Sequence, residues 1–249
     1  MTKKIWITGA SSGIGRALAI KFSNQGWQVA ASARRENLLN DLNKNNPNIH
    51  AFVLDVKDEK SVRNVFQNIL QKFETLDICV FATGIHDPEA EKKLSSEKIR
   101  EIMETNFFGT LNCIMAVNSF FREKKDGHIA IVSSVAGYRG LPAASGYCAS
   151  KAALTSLAES LYFDFKRKNV KVSLISPGFI KTPMTDRNTF PMPMIKSPEY
   201  AAEKIFVGLT KKNSFEIHFP KSFTILLKLL KIMPNWLFFW LVEKGIKRF

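Results

Sequence analysis

The sequence has few cysteines, few acidic residues and no long uninterrupted apolar run. Its three cysteines, Cys79, Cys113 and Cys148, are odd in number and show no C-x-x-C spacing, so we expect buried, reduced thiols in a reducing compartment. The four histidines are scattered without a second metal ligand at helical or hairpin spacing, and we expect no metal site. The N-terminus has no apolar h-region before its first predicted strand, which argues against a signal peptide.

The overall composition is that of a folded, basic protein. Thirteen glycines and 10 prolines in 249 residues are too few for a collagen-like or disordered chain. The shortage of acidic residues leaves 36 Lys and Arg against 22 Asp and Glu, a formal net charge of +14. That excess predicts an anionic partner, which is nucleic acid, a phosphorylated ligand or an acidic membrane surface. Nucleic acid is disfavoured because the basic residues are spread along the chain and not gathered with aromatic residues in one motif.

Short β-rich segments alternate with longer amphipathic segments through the first 220 residues, which is the pattern of βαβ units around a parallel sheet. The predicted strands lie near 4–8, 27–33, 49–54, 77–82, 127–133, 170–176 and 215–219. The predicted helices lie near 13–25, 35–45, 58–73, 95–122, 147–168 and 197–211. We expect residues 1–220 to form one doubly wound Rossmann-type α/β domain with six or seven parallel strands and a ligand site beyond their carboxyl ends.

A glycine-rich turn follows the first predicted strand. It reads Thr8-Gly9-Ala10-Ser11-Ser12-Gly13-Ile14-Gly15 and precedes an apolar-periodic helix. Glycine at such a turn permits tight backbone geometry and close approach to a pyrophosphate, whose charge is met by the free N–H groups at the helix N-terminus. The turn predicts a dinucleotide site, and the alternative is a tight turn that binds nothing.

The residues after the second and third strands indicate which dinucleotide is bound. An acidic residue after the second strand would hold a free ribose 2′-hydroxyl, whereas this sequence has Arg34 and Arg35 there. Because arginine pairs with phosphate, we expect NADP(H), with Arg34 as the first choice for the 2′-phosphate. The alternative is that both arginines only begin a solvated helix. Asp55, after the third strand, is placed to accept from the adenine amino group or to begin a helix.

Residues 127–151 contain a candidate catalytic group. Tyr147 and Lys151 are spaced i, i+4 near a predicted helix start and therefore share one face. Reduction of a carbonyl needs a proton donor at the oxygen as hydride reaches the carbon, and a free tyrosine, with a pKa of about 10, is poorly matched to neutral pH. A nearby Lys151 ammonium and an oxidised nicotinamide both favour the phenolate and are expected to lower the pKa of Tyr147. Ser134, at the end of a predicted strand, is placed to hold the substrate oxygen.

The order of these motifs closely resembles that of the short-chain dehydrogenase/reductase family over roughly residues 3–220. The resemblance rests on the glycine turn, Leu54-Asp55-Val56, Ser134-x12-Tyr147-x3-Lys151 and the later Ser176-Pro177-Gly178-Phe-Ile-Lys-Thr182. It implies that Tyr147 is the acid/base and that Lys151 holds the nicotinamide ribose. It implies further that Ser134 orients the carbonyl and that Asn106 fixes a water in a proton relay.

The resemblance also implies which residues bind the cofactor. They are Gly9, Ser11, Ser12, Gly13, Ile14, Gly15, Arg34, Asp55, Val56, Thr83, Gly84, Tyr147, Lys151, Pro177, Gly178, Ile180 and Thr182. Ile180 and Thr182 would meet the nicotinamide carboxamide. One position departs from the family pattern, because Phe81-Ala82-Thr83 stands where Asn-Asn-Ala usually precedes the final glycine. We expect this change to alter the central sheet or the adenosine side of the site and activity to be retained.

Residues 179–198 form the longest segment without a clear period, and we expect them to cover the site. Apolar residues in and near this segment favour a small hydrophobic substrate, lipid-like or long-chain, and the alternative is that they only pack in the core. These residues are Leu141, Phe179, Met184, Phe190, Met192 and Met194.

The C-terminal extension, residues 221–249, combines apolar and basic residues. It is interrupted by Lys228, Lys231 and Pro234 and so does not provide the roughly 20 apolar residues that a membrane-spanning helix needs. We expect two short amphipathic helices separated by Pro234 that touch a membrane surface through residues 222–248, or pack on the domain or on a second copy in a homodimer or homotetramer. The apolar residues expected to form this surface are Phe223, Leu226, Leu227, Leu230, Trp236, Leu237, Phe239 and Trp240.

Together these features predict an NADP(H)-dependent oxidoreductase that acts on carbonyl or secondary alcohol groups. We expect it in the cytoplasm, with peripheral contact at the inner face of a membrane. The competing hypothesis is a non-catalytic dinucleotide-binding interaction protein at the membrane surface, which would explain the altered residues before Gly84 and the apolar extension.

Overall fold

The computed structural model describes residues 2–212 and 214–246. The strands are β1 Lys4–Thr8, β2 Gln28–Ala33, β3 Ile49–Val53, β4 Ile78–Phe81, β5 His128–Val132, β6 Lys171–Pro177 and β7 Glu216–Phe219. All seven pair in parallel in one sheet, in the order β3-β2-β1-β4-β5-β6-β7. The order reverses between β1 and β4, and ligands of such sheets bind beyond the carboxyl ends at this switch point. The predicted doubly wound fold is confirmed.

Helices cover both faces of the sheet. Their bounds are α1 Gly13–Asn24, α2 Glu36–Lys44, α3 Glu59–Phe73, α4 Pro88–Lys92, α5 Ser96–Met103, α6 Gly109–Lys124, α7 Ser145–Lys166, α8 Pro198–Val207, α9 Lys221–Ile232 and α10 Asn235–Ile246. The helix predicted over 95–122 is divided into α5 and α6 by a π-helical turn, Glu104–Phe108. The short helix α4 was not predicted, although Asp87 at its N-cap and Pro88 at its first position are typical start signals.

Burial of the sheet on both faces explains why its strands are apolar without alternation. In β1, Ile5 and Ile7 belong to the core on the side of α1 and α8, whereas Trp6 belongs to the core on the side of α3 and α6. Trp6 is fully buried, and its indole Nε1 donates to Ser32 Oγ at 2.9 Å, so that its polar atom keeps a partner. The three cysteines are buried and unpaired, as expected.

The two C-terminal helices are attached to the domain at their junction by Arg139. Its Nη1 donates to the carbonyl oxygens of Leu230 and Met233, each at 2.8 Å, near the end of α9. The Arg139 guanidinium also lies 4.0 Å from the ring centroid of Phe238, which is buried. A cation at a helix C-terminus satisfies carbonyls that have no partner within the helix. Within 2–212 and 214–246, no helix is long and apolar enough to cross a membrane.

The exposed face of α9 and α10 differs in part from the predicted one. Phe223 packs inward against Phe179, with 5.6 Å between the ring centroids, and Leu227, Leu230 and Leu237 are half-buried. The side chains that do face outward are Ile225, Leu226, Leu229, Ile232, Trp236, Phe239 and Trp240. The exposed face of α9 is therefore rotated about the helix axis relative to the predicted face, because the Phe223 side of the helix packs on the domain.

Candidate functional site

A cavity of about 510 Å³ lies beyond the carboxyl ends of β1, β4, β5 and β6. Every residue predicted to bind the cofactor lines it, and so do Ser134, Tyr147 and Lys151. Asn106 is fully buried and does not line the cavity, although the neighbouring Thr105 does. The structure therefore brings the predicted residues to one place, and their individual roles stay predictions.

The glycine turn forms one end of this cavity. Gly9 has φ +71°, a left-handed conformation, and a side-chain Cβ there would lie 2.8 Å from the carbonyl oxygen of Ala82. Ser12 is the N-cap of α1, and among the described residues no side chain caps this helix. The first-turn N–H groups of α1 consequently face the cavity end without a side-chain acceptor, which is the arrangement that binds anions.

Arg35 lies against the same turn. Its Nη2 donates to Ser11 Oγ at 2.8 Å and to Ser12 Oγ at 2.6 Å, and its Nε donates to Ser11 Oγ at 3.1 Å. Arg34 also lines the cavity and is exposed. Both arginines therefore reach the end of the cavity at which a phosphate group would be bound, and Arg35 is the one held in place by the turn.

The candidate catalytic residues lie at the other end, where Ser134, Tyr147 and Lys151 all line the cavity. Burial raises the pKa of Tyr147 to about 12, although the nearby Ser134 side chain acts in the opposite direction. Burial lowers the pKa of Lys151 to about 8, and its Nζ donates to the carbonyl oxygen of Val132 at 3.0 Å. In the protein alone, burial raises the Tyr147 pKa more than Ser134 lowers it, and the lowering expected from Lys151 together with an oxidised nicotinamide stays a prediction.

Asn106 lies in the π-helical turn and is fully buried. Its Oδ1 accepts from the Ile85 N–H at 2.7 Å, and its Nδ2 donates to the Ile85 carbonyl at 3.0 Å and to Ser150 Oγ at 3.0 Å. Ser150 Oγ in turn donates to the Tyr147 carbonyl at 2.8 Å. Asn106 therefore connects the loop after β4 to α7, the helix that carries Tyr147, and π-helical turns are frequent at functional sites.

Two buried residues beside Tyr147, His86 and Glu91, were not predicted from the sequence. His86 Nδ1 lies 2.8 Å from Glu91 Oε1, and the Tyr147 N–H donates to Glu91 Oε2 at 3.0 Å. The His86 ring centroid lies 4.6 Å from that of Tyr147. His86 also lines the cavity. Only the start signal of α4 at Asp87-Pro88 indicated that this segment was ordered.

The segment 179–198 borders the cavity next to α9. Ile180 and Lys196 form a single parallel bridge that closes the base of the segment, and a 3₁₀ turn, Thr185–Arg187, lies within it. Of the apolar residues predicted to contact substrate, Met184 lines the cavity, and Leu141 packs with Tyr147 against a small buried cluster. Phe190 and Met194 are 43% and 53% exposed and face solvent.

The chain is similar in sequence to known proteins over most of its length. The sequence profile described as short chain dehydrogenase matches residues 3–193. An oxidoreductase of Myxococcus xanthus, described as uncharacterized, is 34% identical over 236 residues, which are 93% of each chain. A 3-oxoacyl-[acyl-carrier-protein] reductase of Thermotoga maritima is 28% identical over 223 residues, which are 84% of this chain and 91% of the relative.

Solved structures show the same fold. One described as ElxO with NADP bound is 26% identical and aligns with a TM-score of 0.78 over 88% of this chain and 98% of that chain. A short-chain dehydrogenase from Streptomyces avermitilis, 24% identical, aligns with a TM-score of 0.83 over 100% of this chain and 98% of that chain, which shows a shared fold. The profile match over most of the chain and the relative at 34% identity establish that this protein belongs to the short-chain dehydrogenase/reductase family of oxidoreductases.

Proposed function

We propose that the protein is an NADP(H)-dependent oxidoreductase that interconverts a carbonyl group and a secondary alcohol on a small apolar substrate. The observation that carries the proposal is the group formed by half-buried Tyr147 and Ser134 and buried Lys151 at one end of a cavity whose other end is the glycine turn. One end of the cavity is suited to proton transfer and the other to a phosphorylated ligand.

The residues at the turn fit a phosphorylated dinucleotide. The left-handed Gly9, the uncapped N-terminus of α1 and the two arginines after β2 offer backbone N–H groups and positive charge to phosphate. Relatives of 26% identity are described as structures with NADP or NADPH bound, which supports the same cofactor here. When bound, NADPH supplies the hydride. We infer that Arg35, and with it Arg34, favours the 2′-phosphate form.

The chain supplies the proton for reduction. A tyrosine with the ordinary pKa of about 10 is already protonated at neutral pH, and burial raises the pKa of Tyr147 further, to about 12, so the phenol is present as a donor. Tyr147 Oη donates this proton to the substrate oxygen, and the Ser134 hydroxyl holds the same oxygen by a second hydrogen bond. The Lys151 side chain, close to the Tyr147 ring, stabilises the phenolate that remains.

An apolar carbonyl compound is the substrate class that the cavity favours. Met184 and Ile85 line it, and Leu141 packs beside Tyr147. The Thermotoga maritima relative is described as a reductase of 3-oxoacyl groups, which are ketones on an acyl chain, and this supports the assignment. We expect ketones with an aliphatic chain to be reduced with lower KM than small polar ketones.

The test of this function is the oxidation of NADPH in the presence of a panel of aliphatic ketones, with Tyr147→Phe as the variant. Loss of the proton donor is expected to reduce kcat about 10²–10⁴-fold with NADPH affinity unchanged. Tyr162→Phe, on the same helix α7 and without contact to the cavity, is the matched control and is expected to retain full activity. Equal turnover by Tyr147→Phe would refute the mechanism, and tight NADPH binding without turnover of any ketone would favour the non-catalytic alternative.

The outward face of α9 and α10 favours an anionic membrane surface as the partner of this enzyme. Ile232, Trp236 and Phe239 are 79%, 72% and 62% exposed. Lys231 and Lys244 lie on the same two helices and are exposed, so cationic groups border the apolar side chains. Exposed tryptophan and phenylalanine bordered by lysine are typical of helices that lie in the interface of anionic bilayers. Such contact would place the enzyme at the inner face of a membrane.

This membrane contact is tested by co-sedimentation with phosphatidylcholine vesicles that contain or lack phosphatidylserine. The protein is expected to bind the anionic vesicles, and the double variant Trp236→Ser, Trp240→Ser is expected to bind at least tenfold less. Phe163→Ser, which removes an equally exposed ring from α7, is the control. If the double variant binds vesicles normally but changes from dimer to monomer by size-exclusion chromatography, the face is an interface between two copies and the membrane proposal is wrong.

A further inference from the structure

The catalytic helix α7 begins without a capping side chain of its own. Its N-cap is Ala144, which has no hydrogen-bonding side chain, and Tyr147 is the third residue of the helix. The first N–H groups of a helix have no acceptor within the helix and need one from elsewhere. The acid/base residue therefore lies in the part of α7 whose backbone is least constrained by the helix itself.

Glu91 supplies the missing acceptor from a different part of the chain. Its Oε2 accepts from the Tyr147 N–H at 3.0 Å, although the two residues are 56 positions apart. Glu91 is 2% exposed, and a carboxylate at a helix N-terminus also interacts favourably with the helix dipole. The bond consequently fixes the backbone of Tyr147 at one point relative to α4.

His86 completes the contact on the ring side. Its Nδ1 lies 2.8 Å from Glu91 Oε1, so both oxygens of the buried carboxylate have partners. Its ring centroid lies 4.6 Å from that of Tyr147 at an interplanar angle of 38°, which is direct ring contact. Lys151 Nζ is 5.6 Å from the same tyrosine ring. His86 therefore limits where the phenol ring can move.

We infer that Glu91 and His86 are positioning residues for Tyr147: Glu91 caps the catalytic helix at the Tyr147 N–H, and His86 packs on the phenol, so that the hydroxyl stays at Ser134. This inference rests on the proposed role of Tyr147 as proton donor. Misplacement of a reacting group by about 1 Å costs on the order of 100-fold in rate, so the pair acts on kcat more than on cofactor binding.

Charge acts in the same place. The titratable or charged groups shown next to the pair are Tyr147 and Cys148 of α7 and Arg187, whose Nη1 donates to the His86 carbonyl at 3.5 Å. Lys151 lies on the Tyr147 ring, and the Asp87 carboxylate at the start of α4 accepts from the Ala90 N–H. The negative charge of Glu91 is one of the influences that raise the pKa of Tyr147, after burial. Removal of this charge therefore lowers the pKa of Tyr147, which moves its ionisation to lower pH.

The experiment compares Glu91→Ala, Glu91→Gln and His86→Ala in the full chain, with kcat, KM and NADPH Kd measured for an aliphatic ketone. We expect Glu91→Ala to lower kcat about 100-fold with NADPH Kd within about twofold. Glu91→Gln keeps an acceptor for the Tyr147 N–H and is expected to restore most of kcat. In the alcohol-oxidation direction, we expect its kcat–pH profile to move to lower pH. Glu89→Gln, an exposed change on the same helix, is the matched control.

Two results would overturn the inference. One is a kcat in folded Glu91→Ala and His86→Ala equal to that of the unchanged protein. The other, decisive if Glu91→Ala does not fold, is an unchanged kcat in His86→Ala together with an unshifted kcat–pH profile in Glu91→Gln. Tyr147→Phe separates this inference from the proposed function. If that variant is inactive while the Glu91 and His86 variants are fully active, only the positioning roles are wrong; if it is active, the proposed function itself fails.

Discussion

The two ends of the cavity are built in different ways. The nucleotide end is made by a few neighbouring residues, the glycine turn over 9–15 and the arginines that follow β2, and its side chains are polar and partly exposed. The end proposed for proton transfer, here called the chemical end, is assembled from β4, α4, the π-helical turn, β5 and α7. Its His86, Glu91 and Lys151 are buried and Tyr147 is half-buried. Local sequence specifies the first end, whereas the second end exists only after the chain has folded.

This difference explains where charge is used. At the nucleotide end, arginine stays in contact with water and is available to an anionic ligand. At the chemical end, burial itself changes the ionisation, as it raises the pKa of Tyr147 to about 12 and lowers that of Lys151 to about 8. We therefore expect changes at the nucleotide end to alter cofactor choice, and changes at the chemical end to alter rate and pH dependence.

The largest expected effect in this comparison is on cofactor preference. Arg35→Ala is expected to weaken NADPH binding about 10–100-fold, because a hydrogen bond to a charged group contributes roughly 1.5–3 kcal/mol, and to leave NADH binding nearly unchanged. Fluorescence titration with both cofactors measures it. Arg34→Ala is measured beside it and is expected to have the smaller effect, since only Arg35 is held by Ser11 and Ser12. Equal losses for NADPH and NADH would show that neither arginine reads the 2′-phosphate.

The next effect concerns stability at the chemical end. The Lys151 pKa falls from 10.5 to about 8 on folding, so between these pH values the unfolded chain binds more protons and stability rises with pH. Below pH 8 the charged form is destabilising. Lys151→Met is therefore expected to raise the free energy of unfolding at pH 7 by about 1–3 kcal/mol while activity is lost, as replacement of a functional buried charge often does.

Urea unfolding at pH 7 and at pH 9.5 measures this prediction. The gain in Lys151→Met should shrink at the higher pH, where Lys151 of the unchanged protein is already neutral. Lys166→Met, at an exposed position of the same helix, is the control and should show no such pH-dependent gain. A Lys151→Met protein less stable than the original at pH 7 would contradict the interpretation that burial sets the Lys151 pKa.

A smaller effect is expected where the C-terminal helices meet the domain. Arg139→Ala removes the hydrogen bonds to the Leu230 and Met233 carbonyls and the contact with Phe238, which should cost about 1–2 kcal/mol of stability. Limited proteolysis after α9 should become faster, because the end of this helix loses its hydrogen bonds to the domain. The kcat should change little, because the contact of α9 with Phe179 beside the cavity remains. Unchanged proteolysis would show that Arg139 does not hold the extension.

The fold could be predicted from sequence because its signals are local. All seven strands and the glycine turn follow from apolar runs and turn residues within a few positions of one another. The single helix predicted over 95–122 is interrupted by the π-helical turn Glu104–Phe108. In this turn Asn106 makes hydrogen bonds with Ile85 and Ser150. No local pattern signals such contacts.

The site was predictable only in part, for the same reason. Tyr147, Lys151 and Ser134 have a recognisable spacing, but His86 and Glu91 meet Tyr147 across 61 and 56 positions of chain and carry no motif. The rise in the Tyr147 pKa was not predicted, because its main cause is burial, which depends on the whole fold. The orientation of α9 likewise depends on the packing of Phe223 against Phe179, two residues that are distant in the sequence.

The most direct test of the central claim is to follow deuterium from the reactive position of labelled NADPH during reduction of an aliphatic ketone. We predict that one deuterium appears on the new carbinol carbon with the unchanged protein and with Tyr162→Phe. With Tyr147→Phe, at equal NADPH occupancy, the rate of label transfer should fall about 10²–10⁴-fold. Alcohol without label, or equal label transfer by Tyr147→Phe, would contradict it.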